Sequence, residues 1–347
     1  MTSAISTSKS NQNCRLNDNQ VHELLVETTV TTIKEIAADN KNRIDHKDSI
    51  EQLAKGIFYM EEYFKALGER NQTARIDWFK NKNSFFNGYL SHKHFDPIPE
   101  NNSVSGKKVC CFVIKNNVLP SDALREAKEG LSLLGCGEVC QIAQYCAIKA
   151  VLGDDKFNAL FAANTKTPLI IGNDDRNPIG KLRNYMVIKN ASASDIKKGD
   201  VVYVQNAGTY LFKFIKGEVA GFNMICVEES FDFPKCTSLG LNPDGNTFPE
   251  LDEILISEYN KERFDIFQMY SEKTGQAFSI VMKNAIANSE QLKNTQITLE
   301  NFKEQDGGKI QVVCELHFKR IAQLASSNLK KARNLLDTYE VNAGKRL

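Results

Sequence analysis

The sequence has no apolar run approaching the roughly 18 residues that a helix needs to cross a membrane, which argues against a spanning protein. It has no surplus of one charge: 44 Lys plus Arg stand against 43 Asp plus Glu, a formal net charge of +1. That balance argues against a surface coated in basic charge for duplex nucleic acid. With only 8 Pro and 20 Gly in 347 residues, collagen-like and wholly disordered readings are excluded. Met1 to Ser10 shows no basic-then-apolar signal peptide. The nine cysteines are odd in number, and several lie in apolar segments such as Lys108 to Ile114. Free thiols in a reducing compartment explain that pattern better than a disulfide framework. Cytoplasmic residence is the expectation, and export by a route that reads no standard signal stays open. Three motifs are also missing: C-x-x-C, G-x-x-x-x-G-K-S/T and G-x-S-x-G. Gly135-x-Gly137-x-x-Cys140 follows an expected helix rather than a strand and lacks its third Gly, so it does not read as a dinucleotide fingerprint. No cofactor and no metal are expected.

What is present is ordinary globular material. Hydrophobic residues make up 41% and charged residues 25%. The length suits about two domains and a sizeable core without disulfides. Residues 1 to 16 are rich in Ser, Thr and Asn and read as a disordered leader. Residues 17 to 105 read as a helical N-terminal region. Val21, Leu24, Leu25, Ile33 and Ile36 predict a helix over 18 to 38. Asp48-x-x-Glu51 resembles a capping box ahead of a helical stripe from Ile50 to Leu67. Asp96 to Gly106 reads as a linker, with a boundary near 105.

Residues 106 to 347 read as one α+β domain with a C-terminal helical extension. Val109 to Ile114 is a buried strand, and Ser121 to Leu134 is a helix stopped by Gly135. A second helix runs from about Gly137 to Leu152, followed by a short one near Phe157. Four short strands follow, over 200 to 204, 210 to 215, 221 to 227 and 236 to 241. A helix from 250 to 267, a strand from Ile310 to Phe318 and an amphipathic helix from Ile321 to Tyr339 complete the chain. Helices first and antiparallel strands after are an α+β signature.

The densest chemistry lies in Gly135-Cys-Gly-Glu-Val-Cys-Gln-Ile-Ala143. Cys136 stands between two glycines where one helix stops and the next begins. Free N–H groups and the dipole at a helix start favour a thiolate there. Flanking glycines let a substrate backbone approach. Cys136 is therefore either a nucleophile or a small core residue at a tight turn. Cys146 lies on the apolar stripe and reads as packing. Cys140 is one turn past Cys136, without a second ligand pair for metal. His22 and His46 read as solvated, and His92-Lys-His94 as an exposed loop. His317 is the only histidine after Cys136. It reads as a base in a Cys-then-His order or as a surface strand histidine. From 310 to 347 seven Lys or Arg face three acids. That stretch is a solvated basic face or a patch for an acidic partner.

Four stretches carry a family resemblance: Gly135 to Ala143, Gly153 to Phe161, Gly199-Asp-Val-Val-Tyr-Val-Gln-Asn206, and Gly217-Glu-Val-Ala-Gly-Phe-Asn-Met-Ile-Cys-Val227. Over about residues 106 to 245 the chain resembles bacterial protein-glutamine gamma-glutamyltransferases of the small papain-like, NlpC-type kind. The resemblance implies a helix bearing Cys at its start, packed on an antiparallel sheet. It matches Cys136 to the nucleophile, Asp200, Tyr203 and Asn206 to the first strand, and Asn223 to the end of a Gly-Glu-Asn element. The family's acids fall on Gly135 and Phe222 here, and Ala207 and Phe214 stand where some relatives place histidines. The implied chemistry is acyl transfer: thiolate attack on a glutamine carboxamide, release of ammonia, then a lysine amine or water on the thioester. Asp200, Glu218 and Glu228 are acids near the sheet that could orient a partner. Three readings therefore stand: a transglutaminase-like or deamidase-like enzyme, a degenerate relative that binds a protein partner, and a peptidase using Cys136 and His317. Each takes a protein as its substrate or partner.

Overall fold

The computed structural model describes residues 16–39, 43–45, 90–91, 93–102, 106–130, 132–172, 186–189, 192–214, 219–231, 233–261 and 291–337. Most of the expected leader, the Asp48 capping box with its helix, and residues 262 to 267 lie outside these. So do His46, His92 and Glu218.

The first helix, α1 (Asp18–Ala38), begins where the sequence offers a reciprocal cap. The Asn17 side chain accepts from Gln20 N at 3.0 Å, and Gln20 Oε1 accepts from Asn17 N at 2.9 Å. Such a cap contributes about 1 kcal/mol. The buried stripe of α1, including Val21, Leu25, Ile33 and Ile36, lies mainly against the helix that carries Cys136. Strand β1 (Arg43–Asp45) follows.

The segment read as a linker is instead a strand. β2 (Phe95–Asn102) pairs antiparallel with β3 (Gly106–Ile114). Pro97 and Pro99 gave the linker reading, yet β2 is an outer strand, where a missing N–H leaves no ladder bond unmade. The next helix is also shorter than expected. α2 (Pro120–Glu129) stops at Gly130, and β4 (Ser132–Leu134) pairs in parallel with β1. A Cβ on Gly130 would lie 2.6 Å from Glu126 O, so only glycine fits that exit.

Helix α3 (Cys136–Leu152) is buried on most of its circumference, with Val139, Ile142, Ala143, Tyr145, Ala147 and Ile148 shielded from water. Burying each large apolar side chain contributes roughly 1.5–3 kcal/mol. Gly153, at φ +74°, ends α3 and starts α4 (Asp154–Phe161). Phe157 and Phe161 set their edges against Tyr145 at 6.4 and 5.8 Å. β5 (Ile170–Gly172) completes a three-stranded sheet in the order β2-β3-β5.

A five-stranded antiparallel sheet organises the rest. Its strands are β6 (Met186–Ile188), β7 (Val201–Gln205), β8 (Gly221–Glu228), β9 (Lys235–Thr237) and β10 (Ile310–Leu316), in the order β6-β10-β7-β8-β9. Alternation sorts its side chains onto two faces. Val201, Ile225 and Val227 join the core around α3 and α1. Val202, Val204, Phe222, Met224, Cys226, Cys236 and Val313 join a second core on the other face.

That second core is closed by the helices that follow. Residues 210 to 214 do not form the expected strand. They begin as a helical turn, α5 (Tyr210–Lys213), in which Tyr210 stacks on Phe214 at 5.0 Å. Aromatic content imitated a strand there. α6 (Phe248–Asn260) and α7 (Leu299–Glu304) cover the second core with Leu251, Leu255, Tyr259 and Phe302. The expected single C-terminal helix is two, α8 (Phe318–Ser326) and α9 (Leu329–Asp337). Lys156 Nζ donates to carbonyls of Leu324, Ala325 and Ser327 at the break, and Asn328 Oδ1 accepts from Lys331 N. The fold is α+β, with two antiparallel sheets and the short parallel pair β1–β4 among the described residues. Among the described residues no helix is long and apolar enough to cross a membrane.

Candidate active site

Cys136 is the first residue of α3. Its cap, Gly135, has no side chain, so the free N–H groups of the first turn receive no side-chain bond from the cap. The sulfur meets β8 instead. Asn223 N donates to Cys136 Sγ at 3.3 Å, and Asn223 Nδ2 lies 3.6 Å from the same atom. Ser238, one residue past β9, donates from Oγ to Cys136 O at 3.5 Å. Two neighbouring strands thus hold the turn that presents the thiol.

Gly137 leaves ordinary contact room beside Asn223, whereas Gly221 is the position where a side chain does not fit. A Cβ on Gly137 would sit 3.5 Å from Asn223 Nδ2. A Cβ on Gly221 would press 2.7 Å from the Tyr203 hydroxyl, so the Tyr203 ring lies across the start of β8. Tyr203 is paired directly with Asn223 across the ladder. Burial pushes the Tyr203 phenol above its ordinary value, and charge on Cys136 pushes it the same way. Glu138 folds back over the cap, where a Cβ on Gly135 would lie 2.9 Å from its Oε2.

The other thiols differ. Cys140 is buried in the core, and burial pushes it well above the usual thiol range. Burial likewise pushes Cys146 up to about 11. Cys136 is only half-buried.

Of the site residues read from the sequence, the structure brings Cys136 and Asn223 together. Asp200 is engaged elsewhere. Lys189 Nζ donates to both of its oxygens at 2.9 Å and also bonds Glu315 at 2.9 Å. Burial pushes the Asp200 carboxyl up, against the pull of Lys189. Asn206 is buried, with Nδ2 donating to Val219 O at 2.8 Å and Oδ1 accepting from Ala207 N at 2.7 Å. It ties the β7–β8 connection together.

His317 caps α8, its ring against Phe318 at 6.2 Å. Along β10, Val312 is the residue opposite Tyr203, and His317 lies five positions further on. At about 3.4 Å per residue that is roughly 17 Å along the strand, besides the two strand spacings from β10 to β8. Phe222, which the resemblance set in place of an acid, points into the second core, away from Cys136. Among the described residues no cluster of His, Cys, Asp or Glu is arranged to hold a metal.

Sequence reading missed Ser238 and Glu138. Ser238 carries no local signal, because only the pairing of β9 with β8 brings it to the turn. Glu138 was legible as an acid in a first helical turn, a position that favours negative charge.

No family model matches the chain, and no curated protein matches it. Among solved structures, a transglutaminase from Geobacillus stearothermophilus, without its C-terminal extension, is similar. It matches over 90% of this chain and 98% of its own, with a TM-score of 0.45 and 12% sequence identity.

Proposed function

We propose that the protein is a cysteine-dependent acyltransferase acting on glutamine side chains of proteins, with a papain-like, NlpC-type core formed by α3 on the five-stranded sheet. The observation that carries this reading is the seating of Cys136 Sγ at a helix start under the N–H and the side-chain amide of Asn223. Both donors and the helix N-terminus stabilise negative charge on sulfur. The thiolate attacks the carboxamide carbon, and a tetrahedral oxyanion forms. The C–N bond then breaks and ammonia leaves with a proton, giving a thioester. A lysine amine attacks that thioester to form an isopeptide bond and regenerate the thiol; water in its place gives glutamate. N–H groups of the first turn of α3 serve the oxyanion. Glu138, folded over Gly135, is the carboxylate this turn offers for proton transfer.

A second reading, a protein-binding relative without catalysis, is favoured by one observation. A side chain that contacts the sulfur is an amide, which takes no proton at neutral pH, and Phe222, which stands in place of the family's acid, faces the opposite core. The peptidase reading with His317 has no geometric support at that separation. Either surviving reading needs a protein partner. Lys319, Lys330, Lys331 and Arg333 form an exposed basic face on α8 and α9, suited to an acidic one.

The deciding experiment offers a glutaminyl peptide and a fluorescent primary amine to the full chain. Ammonia release with amine incorporation, both lost in Cys136→Ala, is expected. Neither signal, together with alkylation of Cys136 no faster than of Cys14 near neutral pH, leaves the binding reading.

A further inference from the structure

Cys226 and Cys236 take no part in that chemistry, yet β8 and β9 set them directly opposite each other. Backbone hydrogen bonds decide what kind of pair they form. Cys226 N donates to Asp200 O at 2.9 Å and Cys226 O accepts from Gly199 N at 2.8 Å, so both its backbone groups point toward β7. Cys236 N donates to Asn246 O at 2.9 Å and Cys236 O accepts from Asn246 N at 2.8 Å, so both point away from β8. The two therefore face each other as a non-hydrogen-bonded pair, the class with Cα atoms about 4.5 Å apart and side chains closest. That separation falls inside the roughly 4.4–6.8 Å that a disulfide spans. Both side chains lie in the second core at 0% exposure. The two thiols are close enough for Cys226 to push the Cys236 thiol up, and Cys226 Sγ donates to Glu228 O at 3.4 Å.

We propose that Cys226 and Cys236 are a redox modification site that a peroxide closes to a cross-strand disulfide and a small thiol reopens. One sulfur, having lost its proton, attacks a peroxide oxygen. The O–O bond breaks, one water leaves, and a sulfenic acid remains. The second sulfur attacks it, the S–S bond forms, and the second water departs. In total two thiols give up two protons and two electrons, and one hydrogen peroxide becomes two waters. Thiol–disulfide exchange reverses the step. Access comes through β9, a three-residue outer strand whose far edge is covered by the short segment 242–246, through the Asn246 bridge and the Thr237 bond to Asn242 O. The neighbouring Cys226 thiol and burial push the Cys236 thiol up, which keeps the reaction slow while the strand is closed. The disulfide would clamp the two strands that cradle Cys136, β8 through Asn223 and β9 through Ser238. The proposal does not require Cys136 to react, so it stands or falls apart from the acyl-transfer reading.

The test treats the folded full chain with hydrogen peroxide and alkylates remaining thiols with N-ethylmaleimide in denaturant. Trypsin then yields peptides 217–235 and 236–261, each holding one of the two cysteines. The expected product is these peptides joined, two hydrogens lighter than their sum, separating on reduction and forming faster in urea too dilute to unfold the chain. Both cysteines still free after Cys136 is consumed would overturn the proposal, as would pairing of either with any other cysteine. The map uses the wild-type chain, so no variant need fold. Cys226→Ser adds a control in which the joined peptide disappears.

Discussion

Asn223→Asp tests the seating of Cys136 most directly. The two side chains have nearly the same shape, so packing against Gly137 is kept while the donor at 3.6 Å from Sγ becomes a negative charge. Two unit charges at that distance repel by about 1 kcal/mol at the dielectric of water and by about 4–5 kcal/mol at an effective dielectric near 20. Cys136 is half-buried, so a value between these applies. Divided by about 1.4 kcal/mol per unit, the pH at which the thiol becomes reactive should rise by about one to three units. Asn223→Ala removes a neutral donor alone, about 0.5–1.5 kcal/mol, and should move it by one unit or less. The assay is the rate of iodoacetamide alkylation at Cys136 against pH, followed by peptide mass. The reasoning fails if the Asp curve overlays the wild type, or if Ala moves it further than Asp.

Glu138→Gln should slow amine incorporation on the glutaminyl peptide while leaving alkylation of Cys136 nearly unchanged; equal loss of both would place Glu138 in structure alone. Gly221→Val should destabilise the fold by about 1–3 kcal/mol in urea unfolding, because its side chain meets Val204 O and the Tyr203 ring. Lys189→Met leaves Asp200 buried beside Glu315 with its cation gone, and a loss of about 3 kcal/mol or more is expected. Cys146 is held up to about 11 against an ordinary 9.0, so the folded state keeps a proton that the unfolded chain has lost. Stability on that account is whole below pH 9 and drains away between 9 and 11, by up to about 1.4 kcal/mol per pH unit. Cys146→Ala should flatten the unfolding free energy over that window.

Periodicity made some elements legible and hid others for physical reasons. The α1 stripe was readable because it buries one face, and β7 and β8 were readable as apolar runs between turn residues, although β8 is buried on both faces. Strand β2 was not, since an outer strand tolerates Pro97 and Pro99. Ser132 to Leu134 looked like the end of a helix because its parallel partner, β1, lies about ninety residues earlier. Tyr210 to Phe214 looked like a strand because aromatic residues favour strands, whereas the contacts of Tyr210 and Lys213 with Tyr259 that hold the helical turn are a tertiary outcome. Cys136 could be picked out from two glycines and a helix start. That Asn223 and Ser238 would meet it could not, since both contacts depend on sheet register.

The same register keeps the two sulfur sites that β8 touches on opposite faces of the sheet. Successive residues of β8 point to opposite faces. Asn223 and Ile225 face α3, and Phe222, Met224 and Cys226 face the second core. A one-residue slip of β8 would turn Asn223 away from Cys136 and bring Phe222 or Met224 toward it. Among the bonds that oppose the slip are those of Cys226 to Asp200 and Gly199, at the end of the β7–β8 ladder, where Asp200 is held by the Lys189 ion pair. Asp200 is thus tied to the register of β8. Its removal should lower stability and thiol reactivity together, whereas Asn223→Ala should lower reactivity with little change in unfolding free energy. Equal losses in both measurements for both variants would break that separation.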